Sequence, residues 1–125
     1  MDIEMIKAEG APAAIGPYSS AVRAGDLLYI SGQLPIDPAT GEMPEGIAAQ
    51  TRQSLKNIEA VLKSAGADLS RVVSANVYMK DLADFGAMNE AYAEFFTSHL
   101  PARAAFQVAR LPKDALVEIQ VVAAL

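Results

Sequence analysis

Arg103 and Glu118 pair a fork that can hold a carboxylate with a group that can accept a proton, and each lies on a run that reads as a strand. Glu118 interrupts Val117, Ile119 and Val121, the period-two pattern of a strand from Leu116 to Ala123 whose faces differ in polarity. The run before it, Ala104 to Arg110, places Phe106 and Val108 on one face. Arg103, Ala105 and Gln107 fall on the other. If Leu111-Pro112-Lys113-Asp114 closes a hairpin about the Pro112–Lys113 bond, Glu118 sits opposite Gln107, on the face that carries Arg103. Strand rise then separates Arg103 from that position by roughly 13 Å, a span that two long side chains bracket around a small acid. A turn centred half a residue away reverses the face of Glu118. An amphipathic hairpin with both charges solvated also fits, and on residue types alone it is the commoner arrangement.

The elements that would position these groups follow from periodicity. Met1 to Ala8 reads as a short first strand, and Gly10 to Pro17 as an Ala-, Pro- and Gly-rich loop that delivers Tyr18. Ser20 to Arg23 and Leu27 to Ser31 flank Ala24-Gly25-Asp26 as a hairpin. Leu27-Leu28-Tyr29-Ile30 is apolar enough for cover on both faces, and it runs into Ser31-Gly32-Gln33. Gly32 there either relieves a bulge or admits a close approach. After a loop from Pro35 to Gly46, Ile47, Thr51, Leu55, Ile58, Leu62 and Ala65 form a helical stripe that Gly66 stops. The opposite face, with Gln50, Arg52, Gln53, Lys56 and Lys63, reads as solvated. Leu69 to Lys80 contains a strand in which Val73, Ala75, Val77 and Met79 share a face. Phe85, Met88, Tyr92, Phe95 and Phe96 form the core stripe of a second helix ending before Pro101, with Asn89 at its border and His99 as a dipole partner near its C-terminus. The order β, ββ, α, β, α, ββ is α+β, and strands apolar on both sides leave one sheet face in need of a partner copy.

At 125 residues the chain fits one domain, 1–125, with a real core. A formal charge of −5 with scattered basic residues argues against nucleic-acid binding. The absence of cysteine removes disulfides, thiolate nucleophiles and zinc–thiolate sites, and one histidine makes a His-based metal site an unpromising expectation. The acidic, mixed start and the lack of a long apolar run lead to the expectation of a cytoplasmic protein with no membrane contact.

Taken together, Ile15-Gly16-Pro17-Tyr18-Ser19, Ile30-Ser31-Gly32-Gln33, Met88-Asn89 with Tyr92 and Phe95-Phe96, and Pro101-Ala102-Arg103 through Leu111-Pro112-Lys113-Asp114 to Val117-Glu118-Ile119 resemble the RidA/YjgF family along essentially the whole chain. The resemblance implies a chorismate-mutase-like α+β domain, a mixed sheet covered on one face by two helices. It also implies a homotrimer with sheets packed inward as a barrel and sites between subunits. The implied activity is cofactor-free hydrolysis of 2-imino acids and their enamine tautomers, such as 2-aminoacrylate and 2-iminobutanoate, to 2-oxo acids and ammonia. Arg103 matches the family's carboxylate anchor and Glu118 its acidic residue for water. The backbone at Ala105 matches the site that binds the imine nitrogen, and Tyr18, Ser31, Gly32 and Asn89 match pocket-wall positions. Family members often carry Cys where this chain has Ala105, so thiol-linked regulation cannot operate there. A non-catalytic protein that binds 2-oxo acids is the main rival reading. Chorismate-mutase activity would need more converging cations, and nuclease or translation-inhibitor roles sit poorly with an acidic chain.

Overall fold

The computed structural model describes residues 1–125. Strands β1 (Ile3–Ile6), β2 (Ala21–Ala24) and β3 (Leu27–Gln33) precede helix α1 (Ile47–Ser64). Strand β4 (Val72–Met79), helix α2 (Phe85–Ala93), and strands β5 (Ala102–Gln107) and β6 (Val117–Ala124) follow. The strands form one sheet of six in the order β1-β2-β3-β6-β4-β5, antiparallel except where β4 meets β5.

The expected hairpin between the last two strands does not form, because β4 lies between them. A chain that leaves β4 through a helix returns parallel to it, which places β5 at the sheet edge. The Leu111–Asp114 segment then carries the chain across the end of β4. Val108 N donates to Met79 O on one side, and Lys80 N donates to Leu116 O on the other. Glu118 is therefore paired with Tyr78, and through it with Phe106, rather than with Gln107. Arg103 aligns with Ala75 and Val121.

Both helices cover one face. Leu55, Ile58 and Leu62 from α1, with Met88, Tyr92 and Phe96 from the α2 region, pack on Leu28, Ile30, Val77, Met79, Ile119 and Val121 from the sheet. On the other face Leu27, Tyr29, Val73 and Phe106 remain 39–49% exposed, so β3 is covered on one side only within the chain. Val73 leaves the expected apolar face because β4 bulges between Val72 and Ser74, which turns Val72 inward instead.

The polar face of α1 also departs from expectation. Gln50 is buried, its Nε2 donating to Pro44 O at 3.0 Å and its Oε1 accepting from Leu116 N at 2.8 Å. Asn57, equally buried, donates from Nδ2 to Leu34 O and Ile36 O at 3.0 and 2.9 Å. These amides satisfy the backbone of the segments that frame the site. At the far end Gly66, at φ +77°, closes the helix as Ala67 N and Gly66 N bond back to Leu62 O and Lys63 O. His99 lies beyond the end of α2 and is no dipole partner. Its Nε2 donates to Val72 O at 2.6 Å, tying the α2–β5 connection to the start of β4.

Candidate active site

Register decides which side chains meet. On the helix-covered side, Arg103 projects from edge strand β5 over α2, its guanidinium carbon 4.8 Å from the Tyr92 ring centroid and 5.6 Å from that of Phe85. No carboxylate and no carbonyl of the chain pairs with it. Asn89 and Tyr92, three residues apart on α2, share its side of the helix and line with it a hollow of about 290 Å³. Asn89 Oδ1 and the Tyr92 hydroxyl are buried there with no hydrogen-bond partner. Burial raises the Tyr92 phenol above its usual value, against a smaller opposing pull from Arg103. Ala105, two residues along β5, turns its methyl toward the core. As β5 is the outer strand, half of its backbone groups face away from the sheet.

Glu118 points from the other face. Strand β3 carries an irregularity there: Ile30 pairs with Val121 but Gln33 with Ile119, three steps against two. The extra residue opens a gap at Gly32 into which the Glu118 carboxylate folds, so that a Cβ at position 32 would collide with it. Gly32 thus relieves a bulge as one reading expects, while what comes close to it is the Glu118 side chain and not another backbone or a ligand. Burial raises the Glu118 carboxyl above the usual carboxylate range, and no charged neighbour offsets that rise. Tyr18, Ser31, Gly32 and Glu118 line one cleft of about 820 Å³, joined by Lys113 and Gln120, with Pro12 to Ile15 as its apolar wall. Ser31 is fixed by its hydroxyl, which donates to Ser19 O at 2.6 Å. Gln120 accepts from the Tyr78 hydroxyl at 2.9 Å.

The expected residues therefore come together as two groups, not one. Tyr18, Ser31, Gly32 and Glu118 share the open face; Arg103, Asn89 and Ala105 belong to the helix side. Arg103 and Glu118 do not share a surface within one chain, because β4 separates their strands and the alternation across it sets them on opposite faces. Three contributors were not legible as such: Phe85 and Tyr92, which their spacing marks as core, and Lys113, whose left-handed backbone (φ 57°) no composition signal foretells. The i, i+3 relation of Asn89 to Tyr92 was the available clue. No group of three or more His, Cys, Asp or Glu side chains converges in a way that could hold a metal ion, and no helix is long and apolar enough to cross a membrane.

Known proteins resemble this chain from end to end. A RutC family protein of Pyrococcus horikoshii is 54% identical over 121 residues, covering 96% of both chains. The 2-iminobutanoate/2-iminopropanoate deaminase of Escherichia coli K12 is 48% identical over 121 residues, covering 94% of each. The crystal structure of E. coli TdcF with bound serine superimposes with a TM-score of 0.94 at 41% identity, covering 98% of both chains. The family model described as Endoribonuclease L-PSP matches residues 8–125. With that match and those identities along nearly its whole length, the chain belongs to the RidA/YjgF/RutC family.

Proposed function

We propose that the protein is a 2-iminobutanoate/2-iminopropanoate deaminase, hydrolysing reactive 2-imino and 2-enamino acids to 2-oxo acids and ammonia, without a cofactor, in the cytoplasm. The observation that carries this reading is a complementary pair of half-sites: an arginine with its donors unengaged and a desolvated glutamate with no counter-charge. Set on opposite sheet faces, the two meet only between copies. A homotrimer with its open sheet faces turned inward supplies that meeting, and the apolar row Leu27, Tyr29, Val73 and Phe106 supports it.

In this site Arg103 holds the substrate carboxylate bidentately and so decides which face of the imine is presented. Backbone at Ala105 hydrogen-bonds the imine nitrogen. Glu118 takes a proton from water as its oxygen bonds to C2 and passes it to nitrogen, giving a carbinolamine; it then takes the proton of the C2 hydroxyl and delivers it to nitrogen as the C=O bond forms, the C–N bond breaks and ammonia leaves. Its burial suits both steps, since a carboxyl that gives up its proton reluctantly is a stronger base once ionised. Tyr18, Ser31, Gly32 and Asn89 bound the space for the substrate's side chain. Such imines also hydrolyse unaided, and orientation plus one acid–base group, worth about 10²–10⁴-fold, is enough.

The test generates 2-iminobutanoate in situ with a threonine dehydratase and traps what remains as the semicarbazone. Wild type should speed imine loss, and Arg103→Ala should abolish that effect while still assembling. No acceleration by wild type, with 2-oxobutanoate still bound, would replace the enzyme by a 2-oxo-acid-binding protein.

A further inference from the structure

Arg103 is held unlike the other engaged cations of the chain. Arg52 grips Glu94, Lys80 pairs with Asp114, and Arg71 and Arg23 donate to the carbonyls of Ala124 and Gly25. Each of those contacts occupies donors. Arg103 instead lies 4.8 Å from the Tyr92 centroid and 5.6 Å from that of Phe85, within reach of the attraction between a cation and an aromatic face. That attraction holds the cation without a hydrogen-bond acceptor, so it claims none of the N–H groups as a carbonyl or carboxylate would. The two rings differ in exposure: Tyr92 is 7% exposed in the core, whereas Phe85, at 38%, forms an outer wall about two helical turns earlier on α2. The Tyr92 hydroxyl makes no hydrogen bond, so it is the ring that engages Arg103.

We propose that Phe85 and Tyr92 are positioning residues that hold the Arg103 guanidinium in place through their rings, so that it meets the substrate carboxylate with its donors unclaimed by other partners. The inference rests on the reading of Arg103 as the anchor and extends it to side chains that otherwise pass as core. A carbonyl or carboxylate partner would orient the arginine too, but would compete with the ligand for the same N–H groups. Aromatic faces do not compete.

Phe85→Leu, Tyr92→Leu and Tyr92→Phe separate the ring from the hydroxyl and from simple filling of space. Both leucine variants should raise KM for 2-iminobutanoate and Kd for 2-oxobutanoate about 3- to 10-fold while kcat stays within about twofold. Tyr92→Phe, which keeps the ring, should keep most of the binding that Tyr92→Leu loses. Unchanged Kd in both leucine variants, or a Tyr92→Phe loss as large as that of Tyr92→Leu, overturns the proposal. Should Tyr92→Leu fail to fold, Phe85→Leu decides, since its ring is partly exposed. A readout that needs no substrate is the Arg103 Nε–H resonance, assigned by its disappearance in Arg103→Lys. Ring currents should displace it in wild type and Tyr92→Phe, and Phe85→Leu should move it toward the other arginines. If wild type neither turns over imine nor binds 2-oxobutanoate, the deaminase reading falls, and the resonance alone then judges the clamp; a signal unmoved by Phe85→Leu sinks it.

Discussion

Glu118 owes its character to desolvation over Gly32, and that origin fixes how it should respond to pH. Because the proton is held above the usual carboxylate range, the acid limb of kcat/KM should also lie above that range and vanish in Glu118→Gln, as a pH–rate profile would reveal. The stability consequence runs the same way. A raised folded value contributes stability that is complete below the ordinary carboxylate range and is lost as pH rises through the raised value. Glu118→Gln should therefore melt higher than wild type near neutral pH but not near pH 4, and equal gains at both would refute burial as the cause. Gly32→Ala tests the same contact from across the sheet. Its φ lies outside the left-handed region, so the chain should fold normally while the displaced carboxylate lowers kcat by about 10²-fold. Arg103 and Glu118 were legible only through the company they keep in the motif. As bare residue types they fit solvated edge charges, and nothing in the helical spacing of Phe85 and Tyr92 foretells a cation lying over them.

At the level of elements, every strand and both helices occur where the patterns of neighbouring residues place them, although β5 begins and ends before the expected Ala104 to Arg110 and α2 stops at Ala93, short of Phe95 and Phe96. What escapes is the pairing of distant segments. Strands β5 and β6 adjoin in sequence and invite a hairpin, yet the sheet places β4 between them because α2 commits β5 to a parallel return. Gln50 and Asn57 escape for a related reason: their partners are backbone groups at Pro44, Leu116, Leu34 and Ile36, invisible to a helical wheel. Gln50 is the link between α1 and the start of the strand that bears Glu118. Replacing it by leucine leaves Leu116 N–H and Pro44 O unpaired and should cost about 1–3 kcal/mol, measured as a lower urea midpoint with an unchanged m-value.

For the molecule as a whole, the split of Arg103 from Glu118 makes a prediction that no one-chain site can imitate. Arg103→Ala and Glu118→Gln, each deficient on its own, should regain activity well above either when unfolded together and reassembled. With random mixing, about a quarter of the sites then draw an intact arginine from one copy and an intact glutamate from its neighbour. No recovery would place both groups in one chain's site and contradict the observed register. The apolar face that waits for those neighbours has a further consequence, one of mass action. In the proposed homotrimer Leu27, Tyr29, Val73 and Phe106 gain shelter by association, so that folding and assembly would draw on the same free energy. The melting temperature should then climb with protein concentration. A dilute solution would lose its copies to unfolding under conditions in which a crowded one keeps them.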